Sequence, residues 1–242
     1  MPDLKVRRLV MWQHRVSNWF GIVGSLSLPT LIGAAFGRPL GGLLWGGFLR
    51  IAVVHHTTFL VNSAAHLYGR RPYSEESTAR DNALLAFITN GEGYHNFHHK
   101  FPSDFRNGVR WYQWDPTKWL ILTLSRIGLA RGLRETPLAV IETSRLRLTQ
   151  AHADRRLDRL PEGLAESVRG RLERARQALE RAVALWRRFE ARGREAPRRH
   201  RRVYRALVSR ARRERRAAAR LLARLPEAAE FDLFGLQPVS SR

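Results

Sequence analysis

The 242-residue chain contains no cysteine. That absence excludes disulfide bonds, thiolate metal sites and cysteine nucleophiles together, so any metal must be held by nitrogen and oxygen. Acidic residues are scarce as well: 21 Asp and Glu stand against 43 Lys and Arg, for a formal charge of +22, and nearly all the basic residues are Arg. Such an excess suits a polyanionic partner, either nucleic acid or an anionic membrane surface. No cleavable signal is evident either: Met1 is followed by a polar stretch and no A-x-A site appears. The length suits one large domain or two small ones.

What is present is unevenly placed. From Arg145 onward there are 27 Arg against 12 Asp and Glu, whereas residues 1–144 carry a surplus of only seven. The apolar runs lie in the first part. Residues 19–37 (WFGIVGSLSLPTLIGAAFG) hold no charge, and residues 39–61 (PLGGLLWGGFLRIAVVHHTTFLV) hold only Arg50. Each is close to the ~20 residues a helix needs to cross a bilayer core. Their glycines and Pro29 are common in membrane spans. Arg38 and Pro39 leave room for a tight turn only, so the pattern predicts a transmembrane helical hairpin rather than a glycine-rich soluble core. Lys5, Arg7, Arg8 and Arg15 precede it, and Arg70 and Arg71 follow it. The positive-inside rule puts both ends in the cytoplasm.

Beyond the hairpin, residues 79–89 (ARDNALLAFIT) predict a short amphipathic helix along the interface, stopped by Gly91 and Gly93. Asp115-Pro116 predicts a helix start, an N-cap followed by proline at the first helical position. Trp111, Tyr112, Trp114 and Trp119 crowd that entry, as suits a membrane–water boundary. From Pro161 the pattern turns to long helices. Leu164, Val168, Leu172, Ala175, Leu179, Ala182, Trp186 and Phe189 recur at helical spacing; after a break at Gly193–Pro197 come Val203, Leu207, Ala211, Ala218, Leu221 and Leu225. This predicts an antiparallel helical hairpin with solvated arginines.

The chemistry concentrates in "NGEGYHNFHHKFP", residues 90–102. His95, His98 and His99 stand at i, i+3 and i+4, on one helical face. Neutral imidazole is the commonest nitrogen ligand for zinc, iron, copper and nickel. A lone histidine is usually a satisfied core or surface residue, but three at this spacing point to a shared site. "VNSAAHLYG" places Asn62 and His66 four apart at the end of the second run, where a ligand-type side chain is a functional candidate. His55 and His56 suit packing or a polar lining instead.

The segments "FLRIAVVHHTTFLVNSAAHLYGRRPY", "NGEGYHNFHHKFPSDFR" and "WDPTKWLILTLSRIGLA" together resemble the C-terminal half of membrane acyl-CoA desaturases of the stearoyl-CoA delta-9 type. The N-S-x-x-H element, the G-E-G-Y-H-N-F-H-H box and the interval from His66 to His95 carry the likeness, which runs from about Asp3 to about Leu133. The resemblance implies an all-α membrane protein, a transmembrane hairpin with a cytoplasmic helical cap over residues 62–133 carrying the histidine boxes; residues 134–242 fall outside it and are the basic helical hairpin that the periodicity predicts. It further implies a di-iron centre with His66, His95, His98 and His99 as ligands and Asn62 acting through a water. Glu92 and Asn96 would support that centre, and Thr58-Phe59 would line the acyl tunnel where the family has Thr-Trp. The reaction would place a cis double bond in a fatty acyl-CoA or acyl-lipid, using O2 and two electrons from cytochrome b5 or ferredoxin.

One departure qualifies this. The family's H-x-x-x-x-H and H-x-x-H-H boxes are absent, and the histidine nearest the start is His14, in "MWQHR". The sequence therefore reads as beginning in mid-domain: a truncated product, a half whose partner is a separate N-terminal polypeptide, or a non-catalytic remnant. A related histidine-box hydroxylase shares the same metal logic. A membrane-anchored binder of nucleic acid or anionic lipid would explain the arginine tail, but it leaves the histidine spacing as coincidence, which argues against nucleic acid.

Overall fold

The structure, a computed structural model, describes residues 8–190 and 198–223. Lys5, Arg7, the Gly193–Pro197 break, Leu225 and the start of the resemblance at Asp3 lie outside the described residues. Within them the chain is helical, without a strand; two isolated bridges, Arg70 to Asp81 and Asp81 to Tyr94, are the extended pairings present. It divides into two units, one up to Leu60 and one from Val61 onward.

In the first unit, α1 (Arg8–Ala35) carries Pro29 inside it and is joined by a short turn to α2 (Pro39–Gly41). Helix α2 runs without interruption through a π-helical segment, Gly42–Leu49, into α3 (Arg50–Asn62). The sequence placed the first run at 19–37. Within the described residues the helix already runs from Arg8 and gives way before Phe36. The π segment was not foreseen. Glycine explains how the two helices meet: a Cβ on Gly42 would lie 2.1 Å from the Pro29 carbonyl oxygen, and one on Gly33 would lie 2.8 Å from the Gly42 Cα. Such close backbone approach is the packing mode of helices that have no water to expel.

The outer surface of this unit is apolar. Trp19 and Trp45 are each 72% exposed, and Phe36 is 81% exposed. Among the described residues one helix, Pro39–Leu67, is long and apolar enough to cross a membrane, and only 11% of its apolar window is buried. Core helices of soluble proteins are mostly buried; this one is not.

The second unit opens with α4 (Ala64–Leu67), followed by α5 (Ala83–Ile88), α6 (His95–Lys100) and α7 (Pro116–Arg126). Helix α5 is shorter than the expected 79–89, because Asn82 caps it by accepting from the Leu84 and Leu85 amides. Asp115 caps α7 as expected, accepting from the Lys118 amide at 2.9 Å. Next come α8 (Leu138–Asp154), a 3₁₀ turn at Leu157–Arg159, α9 (Glu162–Glu190) and α10 (Arg198–Leu222). Helices α9 and α10 pack along each other, and α8, which the periodicity did not reveal, packs against both. Val168, Leu172, Ala175, Leu179 and Ala182 are buried as their spacing predicts. Val203 is not: it is 46% exposed, and Val208 takes the core position.

Candidate metal centre

Three of the expected ligands converge. The Nε2 atoms of His66 and His95 are 3.1 Å apart, and those of His95 and His99 are 3.0 Å apart. One ligand atom from each of the three lies within 4.8 Å of the others. His98 stands outside this set: its ring is exposed and stacks nearly parallel to His95, with centroids 6.1 Å apart. Its i+3 position turns it away from the point where i and i+4 meet.

Local chemistry dictates how each donor is aimed. His66 sits in α4, a single turn after the break at Ser63, and its Nδ1 lies 2.8 Å from Thr78 Oγ1. With the Nδ1 proton donated to that oxygen, the Nε2 lone pair faces the other two rings. Helix α6 follows the Gly91–Gly93 break. A Cβ on Gly93 would fall 2.1 Å from the Ala86 nitrogen, so α5 can pass that closely only against glycine. The buried Asn96 is fully engaged: it accepts from the Tyr73 and Ser74 amides and donates to the Ser74 and Ala79 carbonyls. Its amide therefore anchors the loop rather than reaching the histidines. Asp81 accepts from the Phe97 amide at 3.1 Å, satisfying a first-turn N–H of α6.

Two of the donors, His95 and His99, are biased toward the neutral form. Burial, reinforced by the neighbouring imidazoles His99, His66 and His98, lowers the pKa of His95 to about 4. Partial burial and the charges of His66 and His98 also lower that of His99, although its ring remains exposed to solvent. An imidazole nitrogen has one proton or one lone pair, so His95 Nε2 cannot complete good hydrogen bonds to both neighbours. A cation at the shared point relieves that conflict. Two nitrogens bound at right angles to one ion at ~2.1 Å lie roughly 3 Å apart, the spacing seen here. The donor set thus fits a metal, and by residue type it fits iron or zinc.

The remaining expected residues are exposed. Asn62 is exposed at the end of α3, and Glu92 is exposed in the loop before α6. Thr58 and Phe59 belong to the other unit, on α3, where Thr58 Oγ1 donates to the Val54 carbonyl and Phe59 is 62% exposed. Thr78 and Asp81 were not foreseen: a lone Thr or Asp in a loop carries no periodic signal.

A family model described as fatty acid desaturase matches residues 1–126. The chain belongs to the fatty acid desaturase family. Among curated proteins it is similar to acyl-CoA desaturase 1 of Saccharomyces cerevisiae, 42% identical over 142 residues that cover 58% of this chain and 28% of that protein. The probable acyl-CoA desaturase of Schizosaccharomyces pombe is 40% identical over 156 residues, covering 64% of this chain and 33% of that one. Stearoyl-CoA desaturase 4 of Mus musculus is 39% identical over 148 residues, covering 58% and 40%. The chain therefore spans between a quarter and two fifths of the length of these relatives.

Proposed function

We propose that residues 1–133 form the histidine-box half of an acyl-CoA desaturase that introduces a cis double bond, at the delta-9 position, into a fatty acyl chain, and that residues 134–242 are a helical extension of it. The observation that carries this reading is the convergence of the His66, His95 and His99 Nε2 atoms within 4.8 Å in a family member. These three would hold one iron. His98, exposed beside them, would serve the second iron of a complete site, with Asn62 acting through a water and Glu92 supporting from the loop. Bound iron would supply the O2-dependent oxidation of an unactivated acyl chain, with two electrons from ferredoxin or cytochrome b5.

The chain's own residues do the rest. Thr78, 2.8 Å from His66 Nδ1, would accept its proton and so leave the Nε2 lone pair toward the site. Burial keeps His95 neutral and ready to bind a cation at neutral pH. The H-x-x-x-x-H and H-x-x-H-H ligands would come from a polypeptide segment outside residues 1–242. Thr58 and Phe59 would line the acyl tunnel, with acyl-CoA or an acyl-lipid as substrate. The apolar, exposed faces of α1 and Pro39–Leu67 support a membrane hairpin; the flanking Arg8, Arg15, Arg70 and Arg71 would put its ends, and with them the histidine boxes and tail, on the cytoplasmic side.

Iron analysis tests the reading. The chain purified from membranes should retain iron, and the combined His66→Ala, His95→Ala and His99→Ala variant should lose it. Equal iron in both would refute the site.

A further inference from the structure

Helices α8 to α10 start beyond the matched residues 1–126, yet α8 packs against the back of the histidine helix and α10 is bonded to α8. With six residues, α6 is far too short to hold its own shape or direction. Tertiary contacts must set its rotation, and the rotation decides where His95 and His99 point. Phe97, wholly buried on the opposite side of α6, packs with Tyr73 and with Ile141 of α8. The Tyr73 ring meets Phe97 edge-on at 5.2 Å and Phe101 at 6.0 Å.

Tyr73 is gripped at both ends. Its backbone amide donates to Asn96 of α6, and its hydroxyl accepts from Arg145 Nη2 of α8 at 2.8 Å. The Arg145 guanidinium also lies over the Tyr73 ring, 4.7 Å from its centroid. Arg145 is fixed in turn. Its Nη1 donates to Oε1 of Glu142, a carboxylate 1% exposed, which also accepts from Arg212 Nε of α10 at 2.8 Å. Arg215 of α10 approaches the second Glu142 oxygen at 3.6 Å. The Tyr204 hydroxyl of α10 accepts from the Ala139 amide, one of the first-turn N–H groups of α8. A continuous polar chain thus runs from α10 through Glu142, Arg145 and Tyr73 to Asn96, which lies beside His95.

We propose that α8 and α10 are a scaffold for the histidine helix, with Arg145 the positioning residue that sets the rotation of α6 through Tyr73. The inference rests on the reading of His66, His95 and His99 as a metal site and goes beyond it, because it assigns a role to residues past the matched segment. A metal constellation tolerates only ~10–20° of misorientation, so a rotation of α6 beyond that range would be felt at the ion.

The test uses the full 242-residue chain in detergent, with Co2+ as the probe. Arg145→Met keeps the aliphatic stem and removes the charge, while Glu142 retains Arg212. It should weaken Co2+ affinity by roughly tenfold, alter the visible absorption band of the bound ion, and speed amide exchange over residues 95–100. Arg145→Lys should restore most of the affinity. Arg176→Met, which removes a guanidinium paired with Glu173 and Glu180 on α9, should change nothing at the ion. Tyr73→Phe, which removes only the hydroxyl, serves if Arg145→Met melts below the working temperature. Wild-type affinity, band and exchange in the Arg145→Met or Tyr73→Phe chain would overturn the proposal. If the wild-type chain binds no Co2+, the metal reading fails by itself, and the exchange rates alone decide whether Arg145 positions α6.

Discussion

The hydroxyl oxygen of Thr78 lies 2.8 Å from Nδ1 of His66, on the side of the ring away from His95. With Nδ1–H donating to this oxygen, the Nε2 lone pair of His66 is left for a metal. Thr78→Val preserves the shape and removes the hydroxyl. Losses from such outer partners are ~10–100-fold in metal affinity, and the exposure of this pair puts it near the lower bound. About tenfold weaker Co2+ binding is expected, with Thr78→Ser restoring it; calorimetric titration of the three chains measures this.

The histidines should not be equivalent. His66→Ala, His95→Ala and His99→Ala each remove a member of the convergent set and should abolish tight Co2+ binding by the chain. His98→Ala should leave that ion in place, because the His98 ring lies beside the set rather than within it. In a complete enzyme, where His98 would serve a second iron, the same variant should lose desaturation. Substitutions at His152 or His200 should affect neither. Tight Co2+ binding by the His99→Ala chain would refute the assignment.

Much of this site was legible because its signal is local. The i, i+4 relation of His95 and His99 is a property of the helix, and Asp115-Pro116 marks a helix start with two adjacent residues. The three-way convergence was only half legible: His66 is 29 positions from His95, and their contact depends on the loop that Asn96 ties together. Arg145 and Tyr73 meet over 72 positions, and nothing in either residue's neighbourhood announces it. Helix α8 escaped notice because its buried positions include Glu142 and Ser144, polar residues that blur the apolar period. Its carboxylate is buried against arginines, which periodicity counts as an exposed face.

Asp81 should leave a signature in the pH dependence of stability. Burial raises its pKa from 3.8 to about 7, although the Phe97 and Asn96 amides and Arg145 pull the other way. The folded chain therefore holds this proton more tightly than the unfolded one. Its contribution is fully present below pH ~4 and is lost as pH rises through about 7, a cost on the order of 4 kcal/mol. His95, lowered to about 4, acts with the opposite sign, since the folded state loses stability as pH falls from 6.5 through that value. The two slopes oppose one another, so the difference between chains is the useful quantity. Asp81→Asn keeps an acceptor for the Phe97 amide and does not titrate. Its melting temperature should rise relative to wild type between pH 4.5 and 7, then run parallel; a constant offset across that range would show that Asp81 titrates normally.

The Gly42 contact makes a separate prediction about the first unit. A Cβ there would meet the Pro29 carbonyl oxygen at 2.1 Å, with backbone on both sides and no flexible side chain to yield. Gly42→Leu should separate α1 from the π segment and lower the melting temperature in detergent by several degrees. Gly21→Leu, at a position with nothing within 4 Å of its Cβ, should be tolerated. Equal melting of the two variants would mean that the close approach contributes nothing.

Residues 1–242 by themselves should not form a double bond. Three convergent imidazoles are a donor set for one ion, whereas the proposed chemistry needs two, each with several nitrogen ligands. The ligands present also need neighbours that fix their direction and exclude water. Arg145 and Thr78 supply direction, but His99 is exposed, so bulk water reaches the set. Purified chain should therefore hold fewer than two irons and give no oleoyl product from stearoyl-CoA with O2 and reductant. Adding a polypeptide that carries H-x-x-x-x-H and H-x-x-H-H boxes should raise both iron content and product. An oleoyl product from residues 1–242 alone would mean that these histidines suffice for the chemistry, and the half-site reading would fall.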